Sequence, residues 1–247
     1  MSTVAIALLG SGEFEPWTDD LEEALHQRLG SREENVLIVP TASAAEGDAV
    51  FDSWAQRGLD HYRRRGIGAA VLPLKSRADA DDPAIAAGLS GASMVFLSGG
   101  NPAYLADTLR GTLFWAQLRA AVEGGGLALA GCSAGAMSLG ARAFDSSITE
   151  VTDAAWQPGL ALFSEIHFGP HWDALDRYLP GLRDAVIAAV PAKGRLLALD
   201  ESTGVVGDGL DWSVEGRGAA HTLEAGVWRS HPAGERFRLA LQGAAGS

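Results

Sequence analysis

Short, uninterrupted apolar runs recur along the chain, and most are stopped by glycine, proline or a small polar residue. Residues 4–9 run into Gly10-Ser11-Gly12, residues 36–39 into Pro40, and residues 94–97 into Ser98-Gly99-Gly100-Asn101-Pro102. Residues 69–74 form a further run, and residues 127–130 lead at once into Gly131-Cys132-Ser133-Ala134-Gly135. These runs have no polar alternate face, so they read as strands covered on both sides. Between them lie segments of helical period. Leu21, Leu25 and Leu29 recur on one face, with Asp19, Asp20, Glu22 and Glu23 near the start, where acids favour the helix dipole. Residues 51–65 end in Arg63-Arg64-Arg65 and Gly66, a helix C-terminus that explains the basic cluster without a ligand. Residues 83–89 predict a short helix and residues 103–122 a mostly helical stretch.

Strands alternating with helices imply a three-layer α/β/α fold around a mostly parallel sheet. A further buried strand is expected at residues 196–199. Past Trp212 the pattern changes: Gly207-Asp208-Gly209, Gly216-Arg217-Gly218 and Glu224-Ala225-Gly226 read as turns between short antiparallel strands extending the sheet. Residues 243–247 read as a frayed end. No repeat, linker or low-complexity segment divides the chain, so residues 1–247 are expected to form a single domain.

Composition narrows the function classes. The formal net charge is −12, which disfavours phosphate backbones and anionic lipid as partners. The single cysteine, Cys132, excludes an intramolecular disulfide and a cysteine-rich zinc site. No apolar run reaches membrane-spanning length, and the N-terminus lacks the basic region and cleavage site of a signal peptide. The expected location is cytoplasmic.

Ligands of open α/β sheets gather at the carboxyl ends of the strands. Three small-residue loops fall there: 10–13, 98–101 and 131–135. The last fits Gly-x-Ser-x-Gly between an apolar strand and a helix start, the setting of a nucleophile elbow. The flanking glycines put Ser133 at the apex. Cys132 lies one residue early, where a small buried side chain is expected. A serine nucleophile needs a base. His26 and His61 fall on predicted surface helices, and His221 and His231 on C-terminal strands. His167, between Ile166 and Phe168 in an apolar segment that ends in a turn, is the preferred base, with His171 the competing choice. Asp200 and Glu201, after the strand at 196–199, are both placed to orient it; Asp200 could instead cap the following turn.

At these residues the chain resembles the serine peptidase family that contains aspartyl dipeptidase (peptidase E) and cyanophycinase, which have a class I glutamine amidotransferase-like fold. The resemblance spans about residues 6–206. It rests on Val39-Pro40-Thr41-Ala42-Ser43, Phe96-Leu97-Ser98-Gly99-Gly100-Asn101, Gly131-Cys132-Ser133-Ala134-Gly135-Ala136, His167-Phe168 and Asp200-Glu201-Ser202-Thr203, in that order. It implies Ser133 as nucleophile, His167 as general base and Glu201 as orienting acid, in a triad without metal or cofactor. The amides of Gly100 and Ala134 would form the oxyanion hole, and Asn101 and His171 would touch substrate. The activity implied is hydrolysis of dipeptides or short peptides through an acyl-enzyme. Two alternatives stand beside it: a cyanophycinase-like exopeptidase on β-aspartyl peptides, and a non-catalytic amidotransferase-like binding protein. Glu165-Ile166 stands where cyanophycinase has Asp-Gln, and Arg177 alone stands near its arginine-rich stretch. No cation is assigned to a substrate aspartate, Arg142 and Arg177 being the only candidates weighed. Trp172, Leu175 and Leu179 read as a buried stripe rather than a pocket wall. The expected partner is a small peptide, with no nucleic acid or membrane; assembly as a homodimer is left open.

Overall fold

The computed structural model describes residues 4–30 and 35–240, so the reading of 243–247 lies outside the described residues. Five parallel strands carry the architecture: β1 (Ile6–Leu9), β2 (Asn35–Val39), β3 (Gly68–Val71), β4 (Met94–Leu97) and β5 (Ala128–Cys132). They lie in the order β1-β5-β4-β2-β3. Successive residues of β1 serve opposite layers. Ala5, Ala7 and Leu9 face one apolar cluster, while Ile6 and Leu8 face the other. That division is why the runs are apolar throughout, since each strand has two dry faces.

Helices α1 (Thr18–Leu29) and α2 (Asp48–Arg65) cover the first face, setting Leu21, Leu25 and Tyr62 against Leu9, Ile38 and Phe96. Between α2 and the next long helix come two short turns, α3 (Arg77–Ala80) and α4 (Pro83–Ala86). Helices α5 (Pro102–Leu109), α6 (Leu113–Glu123) and α7 (Ala134–Ser138) cover the second face, with Leu105, Phe114 and Leu118 on Leu8, Leu97 and Leu129. Each such leucine, fully buried, contributes about 1.5–3 kcal/mol. The stretch 103–122 thus divides at Arg110-Gly111, where Thr112 caps α6 through a bond from Trp115 N.

His26 and His61 are buried, not on helix surfaces as expected. His61, Tyr62 and Arg65 converge on the carboxylate of Glu22, which is itself fully buried. The basic end of α2 therefore both complements its helix dipole and ties α1 to α2 through a buried ion pair.

Nine further strands follow among the described residues. They are β6 (Arg142–Phe144), β7 (Trp156–Pro158), β8 (Ile166–Gly169), β9 (Arg195–Leu199), β10 (Thr203–Gly207), β11 (Asp211–Gly216), β12 (Ala219–Glu224), β13 (Val227–Pro232) and β14 (Arg236–Arg238). Strand β10 pairs antiparallel with β1, and β11 and β14 continue outward, making an eight-stranded sheet. These are the expected antiparallel strands. β12 and β13, however, leave that sheet and join β9 and β8 in a second, four-stranded sheet, and β6 pairs with β7. Turn chemistry fixes where a strand ends but not which neighbour it meets. The second sheet packs into the same apolar cluster as α5–α7. Two short helices, α8 (Leu175–Tyr178) and α9 (Leu182–Ala188), connect its parallel pair β8 and β9. No helix among the described residues is long and apolar enough to cross a membrane.

Candidate active site

The turn from β5 into α7 forces Ser133 to φ 49°, ψ −108°, a sparsely populated conformation for a side-chain-bearing residue. The amide of Ser133 donates to Leu9 O at 3.0 Å, and its carbonyl accepts from Met137 N at 2.9 Å. Close packing beneath the turn fixes the second glycine of the pattern. A Cβ on Gly135 would lie 2.0 Å from the carbonyl oxygen of Leu97. The turn can therefore pass over β4 only with hydrogen at that position.

A second loop approaches from β4. A Cβ on Gly100, at φ 140°, would lie 2.4 Å from Ala42 O, so this loop too is pressed onto its neighbour. Its amides are shared out unevenly. Ser98 N donates to Val39 O, Gly99 N to Glu13 Oε1 at 2.8 Å, and Asn101 N to Ala42 O. The amide of Gly100, between them, has no acceptor among the described residues, and neither has that of Ala134. Ala134 follows Ser133 in the chain, and Gly100 lines one cavity together with Ser133.

The 10–13 loop is drawn into the same place by Glu13, which is 4% exposed. Besides Gly99 N, its carboxylate accepts from Cys132 Sγ at 3.0 Å. Burial, and then the negative charge of Glu13, hold the Cys132 thiol well above its ordinary pKa. It is a buried, protonated side chain, and the nucleophilic form of a cysteine is the thiolate. The three loops singled out in the sequence thus meet at one end of the parallel strands, joined by one carboxylate.

The second sheet supplies the base and the acid. Because β8 and β9 run parallel, with Gly169 opposite Ala198, their carboxyl-terminal loops emerge side by side. Trp172 N donates to Leu199 O at 2.9 Å and links them. His171, at φ 53°, lies 2.8 Å from Ser133 Oγ through Nε2 and 3.2 Å from Glu201 Oε1 through Nδ1. The imidazole beside Ser133 is therefore that of His171, and the expected pairing with His167 is corrected. His167 sits in the middle of β8, 4% exposed, with no hydrogen bond to Ser133. Burial, and secondarily the charge of Arg142, lower its pKa to about 4. Ile166 and Phe168 on either side of it mark a buried strand, not a loop. The rule that sites lie beyond strand ends would have selected His171.

Glu201 and Asp200 point to different partners. Asp200 accepts from Ala219 N at 3.0 Å and lies 3.0 Å from His221 Nε2, bracing the start of β12. Glu201 faces His171, and its Oε1 also accepts from the hydroxyl of Tyr178 at 2.8 Å. Sequence reading did not single out Tyr178. Its ring is exposed and leans on His171, with centroids 5.0 Å apart. Desolvation of the phenol, then its bond to Glu201, push its pKa up to about 12, so it remains a donor through the neutral range. Tyr178→Phe is expected to loosen the Glu201 carboxylate that faces His171, since Oε1 loses one of these two partners, and so to lower kcat about 3- to 10-fold. Steady-state kinetics on a cleaved peptide check this.

The side chain of Asn101, expected to contact substrate, has partners within the fold. Its Oδ1 accepts from Tyr104 N, capping α5, and its Nδ2 donates to Asp145 Oδ1 at 2.8 Å. Of the expected stripe, Trp172 is buried and packs on Trp228, whereas Leu175 and Leu179 line the cavity described next, so the reading as a stripe rather than a pocket wall is corrected for those two. Ser133, Gly100 and His171 share the wall of that cavity, which has a volume of about 410 Å³. Among the described residues no group of histidine, cysteine, aspartate or glutamate is arranged to hold a metal ion.

A serine at a strained elbow, a facing imidazole and amides without acceptors form an arrangement suited to nucleophilic acyl transfer. Residues 6–211 match peptidase family S51, and the chain belongs to that family. It is 27% identical to the cyanophycinases of Trichormus variabilis and of a Nostoc species, over 92% of this chain and 79% of theirs. Among solved structures, it resembles a peptidase from an acI-B1 actinobacterium, with a TM-score of 0.83 and 28% identity over 96% of this chain and 97% of the other. A putative peptidase E from Listeria monocytogenes shares the fold, with a TM-score of 0.60 at 15% identity over 87% of this chain and 98% of the other.

Proposed function

We propose that this chain is a serine peptidase that hydrolyses dipeptides or short peptides, with Ser133 as nucleophile, His171 as general base and Glu201 as orienting acid. The observation that carries the reading is the continuous relay from Ser133 Oγ through His171 to Glu201, at a strained elbow flanked by two free amides. With a proton on Nδ1 directed at Glu201, Nε2 of His171 is left to accept from the serine hydroxyl. Ser133 Oγ attacks the peptide carbonyl carbon while Nε2 takes its proton. The carbonyl oxygen becomes an oxyanion facing the amides of Gly100 and Ala134. Collapse breaks the C–N bond, and the imidazolium gives its proton to the leaving amine. Water then attacks the acyl-enzyme by the same relay and frees the acid.

A cavity of about 410 Å³ is in the size range of small-ligand sites, which favours short substrates. The test is amino-acid release from a dipeptide panel, wild type beside Ser133→Ala. Release that disappears in the variant is the expected result. Release that survives would assign the reaction to another nucleophile and overturn the reading.

A further inference from the structure

The cavity beside Ser133 has apolar walls on every contributing segment. Met137 comes from α7, Phe144 and Ile148 from the segment that follows it, and Leu175, Leu179 and Leu182 from α8, α9 and their connection. No lysine, arginine, aspartate or glutamate lines it, and its one titratable base is His171. Polar atoms come from Ser146, Thr149 and the Tyr178 phenol.

The charged groups on these same segments are held elsewhere. Asp145 accepts from Asn101 and from Ser147. Arg177 lies 3.6 Å from Glu201, and Arg183 donates to the carbonyl of Trp172. Arg142 donates to Trp156 O and stacks on the Trp156 ring, outside the cavity wall. Neither Arg142 nor Arg177 lines the cavity.

We infer that the residue whose carbonyl Ser133 attacks carries a medium or large apolar side chain, such as leucine, methionine or phenylalanine, seated in this cavity. The inference rests on Ser133 being the acylated nucleophile. A carboxylate in the cavity would lose its hydration and meet no cation, and a guanidinium would meet no carboxylate. An apolar side chain loses nothing there and removes the walls from water. Because Gly100 and His171 share the wall with Ser133, occupancy of the cavity also fixes the carbonyl between oxyanion donors and base.

Peptide aldehydes isolate this side of the bond, since addition of Ser133 Oγ to the aldehyde carbon gives a hemiacetal with no leaving group. Acetyl-leucinal, acetyl-phenylalaninal, acetyl-aspartal and acetyl-argininal would each be titrated as protectors of Ser133 against a fluorophosphonate. The leucine and phenylalanine compounds are expected to protect at concentrations at least about 100-fold lower than the other two. Ile148→Arg, at a half-buried loop position, should narrow or reverse the difference between leucinal and aspartal. Equal or better protection by acetyl-aspartal or acetyl-argininal in the wild type would overturn the inference while leaving the serine peptidase reading intact. Absence of any labelling of Ser133 would instead overturn the reading on which it rests.

Discussion

His171→Ala is expected to lower kcat/KM by about 10⁴- to 10⁶-fold, while His167→Asn leaves it within about 10-fold of wild type. The two histidines are four residues apart on one segment, yet only one touches the serine. Loss of the His171 imidazole leaves Ser133 Oγ, 2.8 Å from its Nε2, without a proton acceptor at neutral pH. His167 offers no substitute. Its place within β8 keeps it buried, and with a pKa near 4 it stays neutral at the pH of the assay. Kinetics of the two variants on one dipeptide decide the matter. Comparable losses in both would show that the relay does not run through His171 alone.

Gly135→Ala is expected to have the largest effect on folding. The added methyl would lie 2.0 Å from a backbone oxygen of β4, and no rotamer change can relieve a backbone contact. Either the elbow or the central strand must move. Overpacking of this kind usually costs about 1–3 kcal/mol in a core, and a clash with main chain exceeds that range. A single domain has only about 5–15 kcal/mol in hand, so the variant should unfold at a temperature well below wild type or accumulate insoluble. A thermal melt checks it. An unchanged midpoint would mean that the turn is looser than the packing around Leu97 implies.

The sequence made the parallel core legible because its strands have two dry faces and read as continuous apolar runs. Ser133 was legible for a related reason. The flanking glycines are required by backbone contacts, and that requirement leaves a pattern. The second sheet was not legible in the same way. β12 alternates like any half-exposed strand and β13 is exposed along most of its length, and neither pattern carries information about the neighbouring strand. The base was misread because His167 and His171 sit in one apolar segment, and its chemistry alone does not say where the strand ends. Gly169-Pro170 marks that end, and the residue beyond it is the one that reaches the serine. Glu201 and Asp200 are separated only by the alternation of side-chain direction past β9, which sends Asp200 to His221 and Glu201 to His171. Tyr178 left no signal, since its contact depends on the path of the chain after Trp172. Glu13 belonged to a loop correctly placed at the site, but its bond to the Gly99 amide is a long-range contact that no local pattern encodes.

The cavity beside Ser133 is walled mainly by apolar side chains. The relatives at 27% identity are cyanophycinases. The apolar side chains of the cavity walls come mostly from the segments 144–149 and 175–182, which lie outside the five motifs that carry the resemblance, with Met137 added from α7.

The most direct test of the account is intact-mass measurement after exposure to a fluorophosphonate, on wild type, Ser133→Ala, His171→Ala and His167→Asn. The Ser133 oxygen would displace fluoride and keep the phosphonyl group. One adduct, mapped to Ser133, is predicted in wild type and in His167→Asn, with none in Ser133→Ala and a rate lowered at least about 10³-fold in His171→Ala. Full labelling of His171→Ala together with loss of labelling in His167→Asn would contradict it.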